Sequence, residues 1–77
     1  MVVRNFGEPY FSGKIMNIEE ILIGETKFQA KRISEYNNYE LRVVSEDGVY
    51  FIVTADFRVD RVNVELSDGN VIKAYVG

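Results

Sequence analysis

VTADFRVDRVNVELSDGNVIKAYVG, Val53 to Gly77, decides the fold. Within it RVNVEL puts Val62, Val64 and Leu66 on one side and Arg61, Asn63 and Glu65 on the other, the period-two pattern of a strand with one buried face. SDGN at Ser67–Asn70 reads as a hairpin turn, and VIKAYV, Val71–Val76, as the returning strand. Just ahead lies VTADFRVD, Val53–Asp60, which has neither Gly nor Pro and crowds Thr54, Asp56, Arg58 and then Arg61 into one short segment. Arg61 opens the strand and shares a face with Asn63, so both side chains are expected to reach back beneath that segment. A guanidinium presents five donors in a planar fork and can hold a carboxylate and a neighbouring hydroxyl together, each such bond being worth about 1.5–3 kcal/mol. The expectation is a loop stiffened from below. From spacing alone, Arg, Asp and Thr beside a strand are most often solvated surface, where ion pairs contribute only about 0–1 kcal/mol.

Working outward, YELRVV alternates Tyr39, Leu41 and Val43 with Glu40 and Arg42, a second half-buried strand. SEDG, Ser45–Gly48, is a turn, and VYFIV, Val49–Val53, is either a strand or a strained loop. Upstream, ILIG at Ile21–Gly24 ends an apolar patch, and Thr26 is an N-cap for KFQAKRISEY. The spacing predicts a helix from Lys27 to Tyr36, with Phe28, Ala30, Ile33 and Tyr36 as its buried side and Asn37 and Asn38 as its stop. FGEPYFSGK reads as loop or arm. One helix and three or four strands imply an α+β domain, or a two-layer α/β one, over residues 21–77, preceded by an N-terminal arm or extension over residues 1–20.

Composition narrows the function. Seventy-seven residues fit a single domain with a modest core, and without cysteine no disulfide or thiolate metal site can brace it. There is no histidine, which removes His-based triads and His metal ligands, and the carboxylates follow no metal-loop spacing. No catalytic residues, metal or cofactor are therefore expected, and the chain reads as non-enzymatic. A net charge of -3 opposes binding to a phosphate backbone, so nucleic acid is not an expected partner. No apolar run approaches the length of a membrane span, so the chain reads as soluble, with no membrane partner.

VTADFRVDRVNVEL and the ending AYVG resemble the signature of the potato type I serine protease inhibitors, the family of barley chymotrypsin inhibitor and leech eglin. The matching residues are Val53, Thr54, Phe57, Arg58, Asp60, Arg61, Val62, Val76 and Gly77. DRVN, Asp60–Asn63, with its short SDG turn looks most like the microbial elastase-inhibitor branch. Leu22–Gly24, Thr26 and AKRI at Ala30–Ile33 resemble the family's segment before the helix, its cap and the helix itself, so the likeness runs from about Leu22 to Gly77. It implies a helix on a small mixed sheet with an extended protease-binding loop bridging two parallel strands. The implied reactive loop comprises Ile52, Val53, Thr54, Ala55, Asp56, Phe57 and Arg58. Ala55 would enter the primary specificity pocket, and the scissile bond would join Ala55 to Asp56. Loop support would come from Arg61 bonded to Thr54 and Asp56, from Asn63, and from the chain near Gly77.

The sequence departs from that family in three places. The stretch from Gly48 to Ala55 is longer, Asn63 stands where plant members carry a second supporting arginine, and the opening MVVRNFGEPYFSGKIM has no counterpart, nor is the family's tryptophan present. Phe6, Tyr10, Phe11, Ile15 and Met16 then read as substitute core cover or as a partner-binding arm. The expected partner is a serine protease of subtilisin or elastase type. The alternative is a non-inhibitory binding or regulatory module using a strand edge near Val49–Val53, which could also support a homodimer.

Overall fold

The computed structural model describes residues 17–77, and the expectations for Phe6, Tyr10, Phe11, Ile15 and Met16 lie outside that range. The order of elements is α1 (Ile18–Leu22), α2 (Lys27–Tyr36), β1 (Glu40–Glu46), β2 (Val49–Tyr50), β3 (Arg61–Ser67) and β4 (Asn70–Val76). The strands form one mixed sheet in the order β2-β1-β3-β4, an α+β fold with both helices packed on the same core. β1 and β3 are parallel, whereas β1–β2 and β3–β4 are antiparallel hairpins. Both hairpins turn through an Asp-Gly pair at positive φ, Asp47–Gly48 and Asp68–Gly69, as a two-residue turn matched to strand twist requires. The turns are joined by Asp68 N–H donating to Asp47 Oδ1 at 2.9 Å.

One face of the sheet builds the core. Val62, Val64, Leu66 and Val71 are buried against Ile18, Leu22 and Ala30, with Ile33, Leu41, Val43, Ala74 and Val76 around them. α2 starts where expected: Thr26 Oγ1 accepts from Gln29 N–H at 3.2 Å, and the helix ends at Asn37 and Asn38, the latter at φ 66°. Its buried side differs from the expected one. Phe28 is 68% and Tyr36 88% exposed, while Ala30 and Ser34 are fully buried. Residues two apart on a helix lie on opposite sides, so Phe28 cannot share a face with Ala30.

α1 runs across the expected boundary between arm and domain. Asn17 Oδ1 accepts from Glu20 N–H at 3.0 Å and Glu20 Oε1 accepts from Asn17 N–H at 3.3 Å, a reciprocal cap that fixes the first turn. Ile18 and Leu22 then enter the core, and Glu19 Oε2 accepts from Val76 N–H at 2.8 Å, pinning the end of β4. The folded unit therefore includes Asn17–Glu20.

VYFIV divides. Val49 and Tyr50 pair with β1, Phe51 N–H donates to Val44 O at 2.9 Å, and the chain then leaves the sheet. The strand edge expected over Val49–Val53 is thus two residues long.

Candidate functional site

Parallel neighbours require a crossover, and the crossover is usually a helix. Here residues 51–58 carry no regular secondary structure and a turn at Val59–Asp60 leads into β3. Such a segment cannot satisfy its own carbonyls through a helix or sheet ladder, so donors must come from elsewhere or from water. Several come from the sheet face opposite the helices, where Arg42, Arg61 and Asn63 stand on adjacent parallel strands.

Arg61 is only 6% exposed although it bears a full charge. Its Nη2–H donates to the Asp56 carbonyl, its Nε–H donates to Gly77 O at 2.9 Å, and Nη1 lies 3.7 Å from Asp56 Oδ2. Burial of a guanidinium is tolerated when its fork is occupied in this way. Gly77 N–H in turn donates to Arg61 O at 3.0 Å. The expected contact from Arg61 to Thr54 is absent. The fork is already committed to Asp56 and Gly77, and Thr54 is held by another residue.

That residue is Arg42, the register partner of Asn63. Arg42 Nε–H donates to Asn63 Oδ1 at 2.7 Å, and Nη1–H donates to both Thr54 O and Thr54 Oγ1 at 3.2 Å. Asn63 is 1% exposed, and its Nδ2–H donates to Gly77 O at 3.2 Å and Tyr75 O at 3.4 Å. Asn63 is thus tied to an arginine from one strand over. Arg42 was visible in YELRVV as an arginine on the face opposite Leu41 and Val43, but its meeting with Asn63 depends on the parallel register.

The two guanidiniums flank Ala55, one holding the residue before it and the other the residue after. Ala55 itself is exposed, as are Thr54 and Asp56. Ile52 is 104% exposed, and Val53, Phe57 and Val59 are exposed as well. The Phe57 ring lies over the chain end, where a Cβ on Gly77 would sit 3.6 Å from its edge. Arg58 does not join the network. It pairs with Asp60 through Nε and Nη2, both at 3.1 Å, on the solvent side.

The charges agree with this geometry. The Thr54 hydroxyl holds the Asp56 carboxyl below its ordinary range, against an opposing effect of desolvation, with the Arg61 and Arg42 charges acting in the same direction as Thr54. Arg58 likewise lowers Asp60. At the loop's entrance Tyr50 Oη–H donates to Glu65 Oε1 at 3.1 Å, and this bond raises the phenol above its usual value. Among the described residues no cluster of acidic side chains could hold a metal ion, and no helix is long and apolar enough to cross a membrane. No protein-family model and no curated protein sequence matches the chain.

Proposed function

We propose that this protein is a reversible, substrate-like inhibitor of a serine protease with a small or permissive primary pocket, of subtilisin or elastase type. The observation that carries this reading is the pair of tethers, Arg42 to Thr54 and Arg61 to Asp56, on either side of an exposed Ala55–Asp56 bond. A loop fixed on both sides of a peptide bond enters a protease cleft without losing much conformational entropy. After cleavage it keeps the new amine near the acyl group, at an effective concentration that favours resealing. Ala55 suits a small pocket. A pocket built around a buried carboxylate, as for cationic substrates, would be left with that charge unpaired.

Inhibition is tested by adding the protein to subtilisin and to a pancreatic elastase and following a chromogenic substrate. Loss of activity at or below micromolar protein is expected for at least one of them. Full activity of both at that concentration contradicts the reading. Ala55→Leu should shift preference toward proteases with large apolar pockets, by about 1–3 kcal/mol, with no change in thermal stability.

A further inference from the structure

Arg42 and Arg61 hold opposite sides of one peptide bond, and they do so from different strands. Under the inhibitor reading, on which this inference rests, the two sides have different fates. The protease serine adds to the Ala55 carbonyl carbon, the bond to the Asp56 nitrogen breaks, and the amine leaves with the proton passed on from the serine. Resealing is the reverse: the Asp56 amine attacks the ester carbonyl, and the serine oxygen departs and regains its proton.

In the acyl state the arm ending at Ala55 is covalently bound to the protease, so a tether on Thr54 adds little there. The arm starting at Asp56 has no such bond. Its position then depends on Arg61, which grips the Asp56 carbonyl and, through Gly77 O, the end of β4. Before attack neither arm is covalently held, and both tethers contribute to loop order.

We propose that the two arginines divide one inhibitory cycle between them. Arg42, oriented by Asn63, is a positioning residue for the free loop and sets how readily it binds; Arg61 positions the released amine and sets how often the cut bond is resealed rather than hydrolysed. Asn63 serves both, since its Oδ1 accepts from Arg42 while its Nδ2–H shares Gly77 O with Arg61. The side chain at position 63 is thus a splice between the tethers rather than a tether itself.

The test separates binding from turnover. For parent, Arg42→Ala and Arg61→Ala, the inhibition constant against subtilisin is measured first, then the rate of Ala55–Asp56 hydrolysis at saturating protease. Arg42→Ala is expected to raise the inhibition constant about 10-fold or more, as the binding-competent fraction of the free loop falls, with little change in hydrolysis. Arg61→Ala is expected to speed hydrolysis about 10-fold or more. Arg61→Lys, which keeps the charge without the fork, should fall between parent and alanine and guards against a poorly folded variant. Amide relaxation of the free proteins gives a readout that needs no protease: Arg42→Ala should loosen Val53 and Thr54, and Arg61→Ala should loosen Asp56 and Phe57. If the parent inhibits but both variants shift binding and hydrolysis in the same proportion, or loosen both arms alike, the division of labour is overturned and the inhibitor reading stands. A parent that leaves both subtilisin and elastase fully active overturns the inhibitor reading and the kinetic division with it.

Discussion

The two faces of the sheet are built on opposite principles. Toward the helices, Val62, Val64, Leu66 and Val71 close on Ile18, Leu22 and Ala30, a non-directional contact whose strength follows the apolar area removed from water. Toward the loop, β3 turns Arg61 and Asn63 inward, and they are buried almost as completely as Val62 and Val64, with which they alternate. That face is directional: Arg42, Arg61 and Asn63 donate to named carbonyls and to the Thr54 hydroxyl. The apolar face makes the sheet, and the polar face uses the finished sheet to hold a segment with no ladder of its own.

Leu66→Ala should cost about 2–5 kcal/mol and lower Tm accordingly, since the fully buried side chain leaves a cavity. Arg61→Ala, on the other face of the same strand, should cost less, about 1.5–3 kcal/mol, and leave a folded domain with a loosened loop. A loss at Arg61 equal to that at Leu66, with unfolding, would mean that the polar face also makes the sheet.

Acid bears on the polar face through Asp56. The folded-state pKa of Asp56 lies below its unfolded value. Its contribution is therefore complete above the unfolded pKa and is lost as pH falls through the lower folded one. Amide shifts of Thr54, Ala55 and Asp56 should move together in that acid window, and Asp56→Asn should abolish the step while core signals stay fixed. The smallest effect belongs to the exposed side of α2. Phe28→Ala should change stability by no more than about 0.5 kcal/mol, which a thermal melt would show as a nearly unchanged Tm.

Much of this was legible in the sequence, for identifiable reasons. Period-two alternation in Arg61–Leu66, the Asp-Gly turns and the Thr26 cap are local signals, and each marks the element that forms. Phe28 and Tyr36 are apolar but face solvent, because helical geometry selects Ala30, Ile33 and Ser34 for the inner side. α1 was missed although Asn17 and Glu20 stand at capping-box spacing. Its five residues are too few to show a periodic face. In the site, strand parity placed Arg61 and Asn63 beneath the loop, whereas nothing local placed Arg42 beneath Thr54. The latter depends on which rung of β1 meets Asn63, and parallel register is set by the whole packed sheet.

Cutting and resealing of the bond between Ala55 and Asp56 is measured as the ratio of cut to intact protein, approached from both sides. Intact protein and purified cut protein, with its two pieces still associated, are each incubated with a catalytic amount of subtilisin and followed by intact-mass spectrometry. Both samples should converge on one ratio, with intact protein reappearing in the sample that began fully cut. Cleavage that runs to completion from one side, with no intact protein regained from the other, would contradict it.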